Sequence, residues 1–317
     1  MASVAVQGGG RIGTRLRTGA TVSVAVAVGA LVIAQRGVLL AGLARLGQAD
    51  PRWLAPAMAS AGLLWVASAL TQAGATGPAL PFRRLYAVQG AALFADHFLR
   101  AGTGGFMVNV RFLRNHGLSG PEAATSVIIR SVAGWVIRVL LLVVLLAGHP
   151  QDLLPGGPGL HDASMAELVA AAAVVVAAAV ALLARYRSRL PVWWADLREG
   201  LAVLRAPRRA AALWAGAVIA PLLHALVLLT VAEAMSVHLS WAHAMVLYLA
   251  ASTLTGALPV PGAVGAMEVV LVAALVAAGV PGAAAAGTTV AYRMLTVWLP
   301  LLPAGVLLAL LVRRHVV

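Results

Sequence analysis

Two arginines, Arg130 and Arg293, lie deep inside apolar stretches of the sequence. Ser119 and Glu122 have the spacing of a helix-capping box, and Arg130 lies about ten residues beyond that predicted helix start. At about 1.5 Å per residue, this places Arg130 near the middle of a lipid bilayer. Arg293 has the same depth measured from Gly282. An arginine there costs at least about 2.5 kcal/mol on insertion scales, so each requires a partner or a water-lined cavity.

These arginines and three nearby charged residues suggest an anion site. A guanidinium group binds phosphate oxygens in a two-pronged geometry, so Arg130 and Arg293 are candidate phosphate ligands; the alternative is a structural ion pair. Glu268 and Asp96 are candidate acids that pair with the arginines, hold a cationic group or carry a proton, or serve only as structural counter-ions. Arg100 either contacts the substrate or pairs with Asp96 one turn earlier.

Other site chemistries find little support in the sequence. The chain has no cysteine, which excludes disulfides, thiolate catalysis and cysteine-ligated metals. The segment "GGGRIG" at residues 8–13 matches a dinucleotide-binding fingerprint, but no βαβ unit follows it. Four histidines lack metal-ligand spacing and are interpreted as packing or interfacial residues: His97, His224, His238 and His243. We therefore expect no metal, no cofactor and no enzymatic activity.

The composition indicates an integral membrane protein. Of the 317 residues, 62% are hydrophobic and 10% are charged, whereas globular chains carry about 25% charged residues. A membrane-spanning helix needs roughly 20 apolar residues. Six segments qualify or nearly do so: 19–44, 53–73, 121–148, 165–184, 209–236 and 284–312.

Two further apolar stretches, 85–116 and 241–279, are interrupted by glycine and proline. If the N-terminus is cytoplasmic, 16 arginines collect on the cytoplasmic side, as the positive-inside rule requires. That count holds only if each interrupted stretch returns to the side from which it starts, which predicts two re-entrant hairpins from opposite faces. The charge of +13 then reflects membrane topology and attraction for anionic lipid rather than nucleic-acid binding.

Arginines outside the candidate site have ordinary membrane roles. Arg138 lies eight residues after Arg130, on nearly the same helix face, and is expected to extend its charge towards the membrane surface. Arg111 and Arg114 are expected to contact phosphates of the inner leaflet.

An internal repeat explains the two hairpins. Gly105 matches Gly265, and after a two-residue gap Gly117 matches Gly279. The repeats comprise residues 19–148 and 165–312, between cytoplasmic tails at 1–18 and 313–317. Each has two spans, a hairpin and a third span; three spans per repeat invert the second copy, as in many transporters. The predicted fold is therefore all-α, with six transmembrane helices and two re-entrant hairpins. The predicted hairpin turns contain Gly102, Gly104, Gly105, Pro259, Pro261, Gly262 and Gly265.

Three sequence motifs stand out together: a Gly-Gly turn before Arg111, "RNHGLSGPEAATSVIIR", and "LPVPGAVGAMEVV" with "GVPGAAAAGTTVAYRMLTVWLP". In these motifs the sequence resembles the transmembrane, flippase-like region of the lysylphosphatidylglycerol synthase family. It implies movement of a lipid between leaflets. We expect a stand-alone member without the soluble synthase domain. Arg100 replaces an expected proline before the first turn.

The leading hypothesis is a flippase-like protein of the bacterial cytoplasmic membrane that translocates a phospholipid or another anionic or modified lipid. Both termini are expected to be cytoplasmic. The expected partners are membrane lipids, with anionic phospholipid favoured, and either a second copy of the chain or an enzyme of envelope synthesis. Two alternatives are an ion-coupled transporter of a small anionic solute and a non-transporting partner of a cell-envelope enzyme.

Overall fold

The computed structural model describes residues 47, 49–77, 79–98, 103–148, 205–256, 266–314 and 316–317. Two predicted spans, 19–44 and 165–184, lie entirely outside these residues. So do six of the candidate site and turn residues: Arg100, Gly102, Pro259, Pro261, Gly262 and Gly265.

The described residues form eight helices and no strand. In chain order they are α1 (Pro51–Ala75), α2 (Phe82–Phe98), α3 (Thr103–Arg114), α4 (Gly120–Gly148), α5 (Pro207–Ala234), α6 (Trp241–Gly256), α7 (Ala266–Ala277) and α8 (Gly282–Arg313). Helices α1, α4, α5 and α8 are long and apolar enough to cross a membrane. They coincide with four of the predicted spans, so the chain is an α-helical membrane protein.

The other four helices form two pairs in the interrupted stretches. Helix α2 packs against α3, and α6 packs against α7. The four contain 17, 12, 16 and 12 residues, which correspond to lengths of roughly 18 to 26 Å. The hydrocarbon core is about 30 Å thick, so each helix is short for a complete crossing. The membrane face from which each pair starts stays a prediction.

The turns that follow α3 and α7 have the same geometry. Gly117 and Gly279 adopt positive φ angles of 94° and 88°, a backbone region that glycine occupies without steric cost. In each turn, the residue after this glycine donates its N–H to the carbonyl five residues earlier, at 3.3 and 3.0 Å. This is the Schellman arrangement that ends a helix. The two glycines matched in the sequence repeat therefore occupy equivalent turns.

Helices α1 and α5 form the most extensive helix pair in the described residues. The N–H of Asp50, before α1, donates to the carbonyl of Ala234 at the end of α5 at 3.1 Å, so the two helices are antiparallel. Gly74 lies against the backbone of Leu213, and Gly216 lies against Thr71. Small residues let helix backbones approach closely inside a membrane, and these glycines hold the two helices together.

Helix α8 changes its winding immediately after Arg293. Residues Met294–Trp298 form a buried π-helical segment, in which the N–H of Leu299 donates to the carbonyl of Met294. Pro300 follows and has no N–H to donate, so the wider turn accommodates the proline. Such segments inside α-helices occur frequently at functional sites, and this one lies beside a candidate residue.

Candidate functional site

The geometry of Glu268 and Arg293 is that of an ion pair. Glu268 lies in the first turn of α7, and its Oε1 accepts a hydrogen bond of 2.8 Å from Nε of Arg293 in α8. Arg293 is buried, at 7% exposure. Its Nη2 is also buried and has no hydrogen-bond partner among the described residues. One donor of the guanidinium fork is therefore available for a further acceptor.

His97, near the end of α2, lies within electrostatic range of this ion pair. Its Nδ1 lies 2.8 Å from the carbonyl of Leu93; because a carbonyl only accepts, Nδ1 carries the hydrogen. In neutral imidazole, Nε2 is then an acceptor. That atom is buried without a partner in the described part of the chain, and the charges of Arg293 and Glu268 both act on the ring.

Asp96 joins the two arms of the first hairpin. Its Oδ1 accepts a 2.6 Å hydrogen bond from the N–H of Gly105 at the start of α3. Gly104, beside it, lies against the backbone of Ala95, so these glycines let α3 approach α2. The carboxylate of Asp96 also interacts electrostatically with Arg130 in α4. Asp96 thus fixes the hairpin and faces one of the candidate arginines.

A third group surrounds His224 of α5. Nδ1 of His224 lies 2.8 Å from the hydroxyl of Tyr292, and its ring stacks on Tyr248 with centroids 4.7 Å apart. Arg138 and Arg293 both act electrostatically on His224. The charge of Arg138 also acts on Arg130, so this group connects the two candidate arginines.

We call these nine residues the polar cluster: Asp96, His97, Arg130, Arg138, His224, Tyr248, Glu268, Tyr292 and Arg293. The structure brings together four residues that the sequence singled out as ligands or counter-charges. Asp96 faces Arg130 and Glu268 binds Arg293, while α2 joins the two pairs because Asp96 and His97 are consecutive. The sequence analysis interpreted His97 and His224 as packing or interfacial residues and did not consider the two tyrosines.

The first hairpin contains a hydrogen-bonded chain that sequence reasoning missed. Nε2 of Gln89 in α2 donates to Oδ1 of Asn109 in α3 at 2.9 Å. Nδ2 of Asn109 donates to the carbonyl of Gly105 at 2.8 Å. Both side chains are buried, and buried amides without partners are costly. Gln89 and Asn109 are polar residues in largely apolar helices, and this feature of the sequence could have indicated a buried hydrogen bond between them.

A groove of about 760 Å³ lies beside α3 and the C-terminal end of α8. Its polar wall contains the exposed side chains of Arg111 and Arg114. Its apolar wall includes Phe106, Leu308 and Val312. The groove therefore combines a cationic rim with an apolar surface. Within the described ranges, no group of three or more histidine, aspartate or glutamate residues could hold a metal ion.

Substitution of Gly105 with alanine is expected to destabilise the first hairpin. A Cβ atom there would lie within 2.8 Å of Cγ of Asp96, so the carboxylate must move and lose its bond to the Gly105 amide. Gly120→Ala is the matched control because a Cβ there has no neighbour within 4 Å. We expect Gly105→Ala to lower stability by about 1 to 3 kcal/mol, measured by thermal unfolding in detergent. Equal effects of the two substitutions would contradict this role of Asp96.

Comparison with known proteins identifies a family. The family model described as "Lysylphosphatidylglycerol synthase TM region" matches residues 20–304, nearly the whole chain. The comparison with curated proteins gives no match.

Proposed function

The chain belongs to the lysylphosphatidylglycerol synthase TM region family, and on that premise we propose that it moves an anionic phospholipid between the two leaflets of the cell membrane. Family membership and the apolar helices place the protein among membrane proteins of lipid-related processes. Movement of the lipid, the cytoplasmic position of the termini and the inverted arrangement of the two halves are parts of the proposal.

The observation that carries the proposal is the incompletely used guanidinium group of Arg293. Nε is bonded to Glu268, while Nη2 is buried without a partner in the described residues. A buried donor on a charged group is costly unless an acceptor satisfies it, and phosphate oxygens match the guanidinium fork. A phosphodiester that enters the polar cluster would supply this acceptor.

The other charged residues have complementary roles in this mechanism. Arg130 provides a second cation for the phosphate, and Asp96 and Glu268 balance the charges of Arg130 and Arg293 when no lipid is present. The two hairpins bring these groups to mid-depth, so the headgroup crosses among polar side chains while its acyl chains stay in the bilayer. Rocking of one half against the other would expose the cluster to each leaflet in turn.

Reconstitution in liposomes tests the function. Vesicles with fluorescent anionic, zwitterionic or glycosylated lipids in both leaflets are treated with a membrane-impermeant quencher. We expect anionic lipid from the inner leaflet to become accessible faster than in protein-free vesicles. No acceleration for any lipid would contradict the proposal. Uptake of a small anionic solute without lipid movement would instead support an ion-coupled transporter.

Removal of both groove arginines is expected to weaken the binding of a short-chain anionic phospholipid roughly thirtyfold, because each basic residue near a lipid phosphate contributes about 1 kcal/mol. The measurement is lipid binding to purified Arg111→Gln/Arg114→Gln protein in neutral detergent. Arg83→Gln/Arg84→Gln is the matched control, since those arginines are also exposed but do not line the groove. An equal loss in both double variants would show a general charge effect and no groove-specific binding.

A further inference from the structure

His97 contributes an acceptor atom that no described residue uses. Its Nδ1 hydrogen is committed to the carbonyl of Leu93, which fixes the ring and leaves the buried Nε2 with a free lone pair. A buried acceptor of this kind is satisfied by a donor from the ligand or by a proton. Protonation turns Nε2 into a cationic donor within the same polar cluster that holds Arg293.

Charge balance favours the proton. The described groups whose charges act on His97 are Arg293 of α8 and Glu268 of α7, and the consecutive residue Asp96 faces Arg130. Helices α1 and α3, which also pack against α2, contribute no described charge that acts on this ring. Arg293 and Glu268 are neutral together, and so are Arg130 and Asp96. Arg138, the third arginine of the polar cluster, does not act on His97, so a phosphodiester beside His97 would leave one negative charge in excess there. An unbalanced buried charge is strongly unfavourable.

We propose that His97 takes up a proton when an anionic phospholipid headgroup enters the polar cluster, so that lipid and proton bind together. This inference rests on the proposed function and adds the ion to which lipid binding is coupled. The proton binds Nε2, the imidazolium offsets the added phosphate charge, and the proton leaves when the headgroup leaves. The charge of Arg138 acts on Arg130, His224 and Tyr248. We therefore assign the balancing of the added phosphate charge to His97 and not to Arg138.

The test measures proton uptake during lipid binding. A dihexanoyl phosphatidylglycerol probe is added to the purified full chain in weakly buffered detergent with a pH indicator. A phosphodiester keeps its single charge throughout the neutral range, so the probe contributes no proton change. We expect proton uptake that approaches one proton per bound lipid. If lipid binding favours protonated His97, protonation favours lipid binding by the same factor. The affinity for lipid is therefore expected to fall by up to about tenfold per pH unit at pH values where His97 is protonated with lipid bound but not in the lipid-free protein.

Two asparagine variants separate His97 from other histidines. His116 makes the same bond, from Nδ1 to the carbonyl of Phe112 at 2.8 Å, but it lies in the turn after α3 and does not belong to the polar cluster. His97→Asn retains a donor near Nδ1 and cannot take up the proton. We expect His97→Asn to lose proton uptake and the pH dependence of affinity, and His116→Asn to retain both.

The outcomes separate this inference from the proposed function. Lipid binding and translocation in the wild-type protein without proton uptake would overturn the role of His97 and leave the translocase intact. That result would mean that Arg138 or another fixed cation balances the phosphate. Loss of proton uptake in both asparagine variants, or in neither of them, would also overturn the role of His97. Absence of lipid binding to the wild-type protein would overturn both proposals. If His97→Asn fails to fold, the wild-type uptake measurement decides alone.

Discussion

Substitution of Arg293 with glutamine is expected to slow the translocation of a fluorescent anionic phospholipid by tenfold or more. The substitution removes the buried guanidinium that we assign to the phosphate. It also breaks the hydrogen bond from Nε of Arg293 to Glu268, and the loss of one partner of a largely buried pair costs up to about 3 to 5 kcal/mol. Arg313→Gln, an exposed arginine at the end of the same helix, is the matched control and is expected to transport normally.

The double variant Glu268→Gln/Arg293→Gln separates phosphate binding from a structural ion pair. With both charges removed, no uncompensated carboxylate remains, so we expect the melting temperature to recover most of what Arg293→Gln loses, as in a double-mutant cycle. Transport is expected to stay low because the phosphate ligand is still absent. Recovery of transport together with stability would favour the structural alternative stated in the sequence analysis.

Substitution of Gly74 with alanine is expected to have the largest effect on stability. A Cβ atom there would lie 2.6 Å from Cα of Leu213 and 2.7 Å from the carbonyl oxygen of Arg209. These are backbone atoms, so α1 and α5 must separate rather than a side chain rotate. Overpacking costs about 1 to 3 kcal/mol, and we expect a value at or above the upper end, measured by thermal unfolding in detergent.

Gly62→Ala provides the control for the same helix. A Cβ at Gly62 has no neighbour within 4 Å, so alanine there is expected to be neutral or to stabilise α1 by about 0.5 to 1 kcal/mol, the usual helix-interior difference. Gly216→Ala is expected to resemble Gly74→Ala, because its Cβ would lie 2.6 Å from the backbone nitrogen of Thr71. Similar stabilities for the Gly62 and Gly74 variants would contradict the close α1–α5 contact.

The long helices could be predicted from sequence because hydropathy and local chemistry determine them. The four described spans begin and end within about two residues of the apolar limits. The predicted capping box is present: the N–H of Ser119 donates to Glu122 at 2.7 Å, and the Glu122 N–H donates to the Ser119 hydroxyl at 3.3 Å. These interactions are local, so no knowledge of tertiary packing is needed.

The polar cluster could be predicted only in part. Arginine and acid side chains in apolar helices are conspicuous because their burial is costly, which pointed to Arg130, Arg293 and Glu268. A single histidine has no such signature. The importance of His97 depends on which face of α2 is turned towards Glu268 and Arg293, and that orientation depends on packing between distant segments. The stacking of His224 on Tyr248 also depends on packing between distant segments, so it could not be predicted from the sequence.

Accessibility labelling tests the central claim that the two hairpins start from opposite membrane faces and meet at mid-depth. The chain contains no cysteine, so in each single-cysteine variant the maleimide reacts only with the introduced thiol. Arg83→Cys and Asn115→Cys mark the ends of the first hairpin, and Ser240→Cys and Ala277→Cys mark those of the second. With a membrane-impermeant maleimide, we predict that the first two react only from the cytoplasmic face and the last two only from the opposite face. Reaction of all four from one face, or of the two ends of one hairpin from different faces, would contradict the account.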